Sequence, residues 1–483
     1  MIFSSVSFLF LLLPIVVACT FLAGARYRNH ILFAGSLIFY FWGEGMFTLL
    51  LLGSIAVNYI LARGIENSIG RHRKLLLTLG VCCNLLPLFI LKYLGFAVAS
   101  LQPIFLVLGL QPWHGEPLHL PAGISFFTFQ AISYLVDVFR RIVPAEQKIL
   151  NCGLYISMFP QLIAGPIVRY HDIAGQLVRR TITTGGFAGG AERFVFGLGK
   201  KVLIADPLGI KADYIFQLPI NELSTGDAWL GAICFSLQIY YDFSGYSDMA
   251  IGLGRMFGFR LPENFMYPYI SRSLREFWRR WHISLSTWLR DYLYIPLGGN
   301  RGGTKRTLAN LLIVFLLCGL WHGANWTFVV WGLWHGLFLV VERVIPLRQN
   351  TIIHKGAGWL YTSAVVVIGW VIFRSTSLDA AWHYLQVMAG ISSTGIDLIF
   401  TTLLADSKLL TELIAGCVLA FPVYRLLRQG GEKLETRLVS VPAAYGTAAV
   451  LGISRLLLFG TVLYFAVITI AARAYQPFLY FQF

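Results

Sequence analysis

Apolar runs separated by short polar connections cover most of the chain. They fall at Val6–Ala25, Ile31–Trp42, Met46–Ala62, Leu75–Leu101, Ala122–Phe139, Leu150–Ala164, Phe194–Ile204, Ala228–Gly254, Leu308–Trp321, Trp326–Val341, Trp359–Phe373, Leu409–Leu427 and Ala448–Ala472. A helix crossing the bilayer core needs ~20 apolar residues, so the longer runs predict full spans. Runs of 11 to 16 residues predict re-entrant segments or tilted half-helices, which are tolerated only beside protein or a water-filled cavity. A cavity within the membrane is therefore expected.

Two stretches break this monotony. In LREFWRRWHISLSTWLRDYLY (Leu274 to Tyr294), the residues Leu274, Phe277, Trp278, Trp281, Leu285, Trp288, Leu289 and Tyr292 recur at helical spacing as one apolar stripe. Arg275, Arg279, Arg280 and Arg290 lie off the stripe and His282 at its edge, which predicts an amphipathic helix at the membrane surface. In CGLWHGANWTFVVWGLWH (Cys318 to His335), an apolar run ends at Leu320–Asn325 and a second one follows, which predicts a chain reversal inside the bilayer. The expected organisation is one all-α polytopic membrane domain over residues 1–483. Within it, 275–306 forms an interfacial amphipathic helix and a basic cytoplasmic loop, and 307–343 a helical hairpin. No repeat, low-complexity tract or soluble domain is visible.

Composition agrees with this pattern. Of 483 residues, 57% are hydrophobic and 13% charged, about half the charge of a soluble domain, and the mean hydropathy is +0.68. The bilayer, not a soluble core, is the expected solvent. A net charge of +15 fits cytoplasmic loops better than nucleic acid, which is not expected as a partner. The Arg255 to Arg306 loop carries ten Lys or Arg against three acids and is placed in the cytoplasm. The acid-bearing segments near Glu116, at Gln217 to Asp227 and at Ser375 to Asp406 are placed outside. Arg26 and Arg28 follow the first run instead of preceding it, so that run reads as an uncleaved helix with its amino end periplasmic. Cys19, Cys82, Cys83, Cys152, Cys234, Cys318 and Cys417 form neither a disulfide framework nor a CxxC metal site.

Chemistry concentrates at few residues. His322 lies deep at the reversal, and an intramembrane ionisable residue is a functional hypothesis by default; its neutral imidazole can accept a proton, and the rival reading is a hydrogen-bonded core histidine. His335, thirteen residues on, would sit about 220° away on a continuous helix and reads as structural. Arg275, Arg279, Arg280 and Trp281, beside His282, are candidates for holding a polyanionic acyl donor such as acetyl-coenzyme A, because guanidinium forks match phosphate. The bland alternative is an anchor for anionic lipid. Asp242 and Asp248 are expected to pair with the basic loop. Together with Trp321, Asn325 and His335 they are assigned to pore lining or structural support. Ser125 and Ser244 lack a triad pattern, and no bound cofactor or metal is expected.

The stretches EFWRRWHISLSTWLRDYLYIPLGGNRGG (Glu276 to Gly303), LWHGANWTFVVWGLWHG (Leu320 to Gly336), YYDFSGYSDMAIGLG (Tyr240 to Gly254) and FPQLIAGPIVR (Phe159 to Arg169) resemble those of the membrane-bound O-acyltransferases. The likeness runs to about Arg374. It implies that His322 is essential and His282 a second functional candidate, in a ring of about eleven membrane-spanning helices, with re-entrant and interfacial ones, around a thin central pore. It further implies an acetyl group leaving acetyl-coenzyme A in the cytoplasm and crossing a bacterial inner membrane. A periplasmic SGNH-type partner would then place it on an exopolysaccharide. His322 would act as general base or be transiently acylated. The competing readings are a transporter of a polar solute and a structural scaffold of an envelope complex.

Overall fold

The computed structural model describes residues 3–109, 118–219, 221–345, 351–391, 406–423 and 443–472. Every regular element within them is helical. Helices α1 (Leu13–Leu22), α2 (Gly24–Glu44) and α3 (Thr48–Asn67) open the chain, with a break at Gly45, whose φ of +54° suits glycine. Helices α4 (Gly70–Leu88) and α5 (Leu94–Val107) run together through a π turn at Phe89–Tyr93 as one apolar stretch of 38 residues. Shorter helices follow: α6 (Ile124–Phe139), α7 (Ile149–Ser157), α8 (Phe159–Leu162), α9 (Tyr170–Val178), α10 (Thr184–Gly199) and α11 (Asp206–Phe216). The longest of the central helices is α12 (Thr225–Met256), which is largely buried, and beyond it lie α13 (Leu274–Trp278), α14 (Ile283–Leu289), α15 (Gly303–His322), α16 (Trp326–Val344), α17 (Ile352–Arg374) and α18 (Leu378–Met388). Helices over Ser407–Leu419 and Ala443–Ala472 come last.

Among the described residues, six helical stretches are long and apolar enough to cross a membrane: Gly24–Asn67, Gly70–Val107, Gly303–His322, Trp326–Val344, Ile352–Arg374 and Gly452–Ala472. Four of these contain runs that the sequence marks as too short. The helices outlast the runs because polar residues at their ends, such as Lys305 and Arg306 of α15 or Glu342 and Arg343 of α16, continue the backbone hydrogen bonding. Phe41, Trp42, Leu106, Val107, Leu456 and Leu457 are exposed, an apolar outer surface that lipid would cover. Glu116 and residues 392–405, used above for orientation, lie outside the described residues.

The centre is built on α12. Ser224 caps its start by accepting from the Asp227 N–H, and its 32 residues give about 48 Å at ~1.5 Å per residue. Gly190 and Gly197 of α10 meet Gly252 and Gly245 of α12 so closely that a Cβ on any of them would strike the facing backbone. This seam brings Lys200 and Lys201, just beyond α10, onto the acids of α12. Asp242 pairs with Lys201 at 2.7 Å, and Asp248 with Lys200 at 2.6 Å and Arg193 at 2.8 Å. The cationic partners therefore precede α12 in sequence and do not come from the Arg255 to Arg306 loop, as the charge pattern suggested. Buried carboxylates take the nearest packed cation, and the glycine seam decides which one that is. All seven cysteines are free.

Candidate active site

The α15–α16 hairpin brings His322 into the interior. Gly323 leaves helical geometry after His322, and Asn325 starts α16 by accepting from the Thr327 N–H at 3.1 Å while donating to the Thr376 carbonyl at 3.1 Å. Asn325 is thus a helix cap that ties the reversal to the end of α17. Gly319 and Gly332 let the two helices touch backbone to backbone. His322 is 5% exposed, and its ring meets Trp321 and Trp331 at 4.9 Å and Phe373 at 5.5 Å, all edge to face. Where the sequence suggested a cavity, aromatic rings stand against the imidazole.

The segment Leu274 to Tyr294 is not one surface helix. It forms α13, a turn, α14 and a π turn at Arg290–Tyr294, and Leu274, Phe277, Trp278, Trp281, Leu285, Trp288 and Leu289 are buried in protein. The stripe exists, but α16, α17 and α12 cover it instead of lipid. Trp281, 1% exposed, packs on Phe277 and Trp370 and does not line the arginine cavity described below.

At the turn between α13 and α14, His282 adopts a left-handed conformation (φ +44°), which is uncommon outside glycine and gathers at functional sites. Its Nδ1 lies 3.2 Å from Asn264 Oδ1, which also accepts from Ser284 Oγ at 2.9 Å, while Asn264 Nδ2 donates to Ser247 Oγ at 3.0 Å. With Oδ1 as acceptor, Nδ1 carries the proton and Nε2 keeps its lone pair. Among the described residues Nε2 is buried without a hydrogen-bond partner. Burial drives the His282 pKa down to about 3, so the ring is neutral across the physiological range.

The two histidines converge on one indole: Trp321 contacts His322 at 4.9 Å and His282 at 5.9 Å. The file continues through Trp331 to His335, 5.1 Å away. The continuous helix assumed for His335 does not exist, and the reversal brings it next to the others.

An arginine-lined cavity of about 570 Å³ opens beside α13, bounded by Met266, Arg272, Ser273, Arg275, Glu276, Arg279 and Arg280. Arg280 is engaged by Glu276 at 2.9 Å and by the Met266 carbonyl. Arg272, Arg275 and Arg279 are exposed and form no ion pair at salt-bridge distance among the described residues, although the Glu342 carboxylate, which accepts from the Arg275 N–H at 3.1 Å, lies near the Arg275 charge.

The family model of the membrane-bound O-acyltransferases matches residues 146–379, which hold both histidines and the arginine cavity. Over the whole chain and the whole of each relative, the sequence is 42% identical to a probable alginate O-acetylase AlgI of Pseudomonas aeruginosa and 44% identical to that of Pseudomonas putida. It is 35% identical to a peptidoglycan O-acetyltransferase of Helicobacter pylori, covering 82% of this chain and 81% of that one. The chain belongs to the membrane-bound O-acyltransferase family. It is a helical membrane protein and an O-acyltransferase.

Within this O-acyltransferase the site includes residues the sequence reading passed over. Trp331 and Phe373 close the aromatic wall, Asn264 orients His282, and Lys92 and Tyr93 reach the end of α15. Lys92 carries a signal that was legible, being the one charge inside the Leu75–Leu101 run. Asn264 carries none, since nothing in its spacing from His282 marks a contact. Among the described residues, no cluster of three His, Cys, Asp or Glu could hold a metal ion.

Proposed function

We propose that this O-acyltransferase transfers acetyl groups from acetyl-coenzyme A, taken at the cytoplasmic face of a bacterial inner membrane, toward an exopolysaccharide outside. Alginate is the favoured polymer because the relatives matched end to end bear that name. A periplasmic SGNH-type partner completes delivery. The observation that carries this reading is the meeting of His322 and His282 on one indole ring.

His322 is the general base. It takes the proton of an acceptor hydroxyl while that oxygen attacks the thioester carbonyl carbon; the carbon–sulfur bond breaks, and the departing thiolate recovers the proton. Such a base contributes ~10² to 10⁴ in rate. His282, held in one tautomer by Asn264, offers its Nε2 lone pair beside it. The exposed guanidiniums of Arg272, Arg275 and Arg279 suit the phosphates of the donor, while Arg280 is already neutralised by Glu276. Because aromatic rings stand against His322, the thioester end enters by parting the Trp331 and Phe373 side chains.

The test is acetyl transfer by purified protein in detergent or nanodiscs. His322→Gln is expected to remain folded and lose ~10²-fold or more of kcat. Full activity in that variant would remove the base and favour a scaffold.

A further inference from the structure

A helix end leaves its last carbonyls without partners, and in a membrane interior such orphans are costly. In α15 the last four are those of Gly319, Leu320, Trp321 and His322. Gly319 is served by the Gly323 N–H. The other three are served from outside the hairpin, by two adjacent residues of the π turn between α4 and α5. Tyr93 donates its hydroxyl to the Leu320 carbonyl at 2.9 Å, and Lys92 Nζ donates to Trp321 at 2.7 Å and His322 at 3.2 Å.

We infer that Lys92, assisted by Tyr93, is a positioning residue for acyl transfer: it fixes the peptide planes of Trp321 and His322 and so aims the catalytic imidazole. The geometry is specific. A π turn widens the helix at this point, as such turns do at functional sites, and Pro87 lies just before it in α4. One amine bridges two consecutive carbonyls, so the peptide linking Trp321 to His322 cannot swing without losing a bond. That peptide sets the Cα–Cβ directions of both residues, and Trp321 is the ring on which His282 also rests. The carbonyls of α15 that are open to an outside donor are its last ones, and the two that Lys92 takes belong to Trp321 and His322.

This inference rests on His322 as the reacting base, and the experiment separates the two. Lys92→Met, Lys92→Arg, Tyr93→Phe and His322→Gln are compared for kcat, donor KM and thermal midpoint in detergent. Since ångström-scale misplacement of a catalytic group costs up to ~10²-fold, Lys92→Met is expected to lose about that much kcat with donor KM unchanged. Lys92→Arg, which keeps the donors, is expected to recover most of it. Tyr93→Phe, which removes one hydroxyl, is expected to lose a smaller part of kcat at unchanged midpoint, and it carries the test alone if Lys92→Met does not accumulate in membranes. Wild-type kcat in Lys92→Met or, failing that protein, in Tyr93→Phe overturns the inference. So does a loss in which KM, midpoint and kcat move together and arginine gives no rescue, because that marks general anchoring. Activity retained in His322→Gln would instead overturn the catalytic reading itself.

Discussion

His282 holds a backbone conformation that its own side chain disfavours, and the bonds that fix it come from a residue eighteen positions earlier in the chain. Asn264 accepts from His282, from Ser284 and from the Ser284 N–H at once, so its removal frees the ring to rotate and to change tautomer. Asn264→Ala is expected to lower kcat by ~10- to 100-fold, the usual effect of losing a partner that orients a functional histidine. The double variant with His282→Ala should be no worse than His282→Ala alone, which steady-state kinetics of the cycle would show. Acid supplies a second check. The buried ring stays neutral to about pH 3, whereas an unfolded histidine takes up a proton near 6.5; protons therefore favour the unfolded chain, and stability falls as pH drops through that window. The thermal midpoint of His282→Gln should fall less between pH 7 and pH 5 than that of the parent. At this scale His322 and His282 were legible because imidazole is rare in apolar sequence. Asn264 was not, since an amide earns notice only through its neighbours in space.

Between elements, periodicity fixes which face of a segment is apolar but not what covers it. The stripe from Leu274 to Leu289 was legible as a stripe; that α12, α16 and α17 bury it, and that the chain turns at His282, required the packed structure. The same gap explains the carboxylates of α12. Their need for cations followed from burial, while the choice of Lys200 and Lys201 follows from the glycine seam with α10. Lys201→Met alone is expected to destabilise by ~3 to 5 kcal/mol, because it removes the ammonium that Asp242 and Asp206 share. Adding Asp242→Asn should restore part of that loss, as detergent melting curves would reveal. In the hairpin, an alanine Cβ at Gly319 or Gly332 would strike a carbonyl of the facing helix, whereas at Gly336 it meets the Phe315 and Leu312 side chains. Gly332→Ala is therefore expected to cost ~1 to 3 kcal/mol and to depress transfer, with Gly336→Ala closer to the parent in both measurements.

For the molecule as a whole, composition and run lengths were enough to identify a helical membrane protein, because the hydrocarbon thickness imposes its length on every span. Which side chains close around His322 was not readable, since Trp331 and Phe373 reach it only by folding. The arginine cavity gives the expected division of labour. Arg279→Ala should raise donor KM several-fold at nearly constant kcat, an effect on uniform binding, while Arg280→Ala should do less because Glu276 already occupies that guanidinium; initial rates against acetyl-coenzyme A distinguish them. The aromatic enclosure of His322 has a different consequence. In the mechanism proposed above, an activated acetyl group next to a base is prone to attack by stray water, and the aromatic ring around His322 is expected to keep that side reaction slow until an acceptor arrives. Trimming the ring with Phe373→Ala should leave a leaky catalyst, one that releases free acetate and coenzyme A with no sugar present.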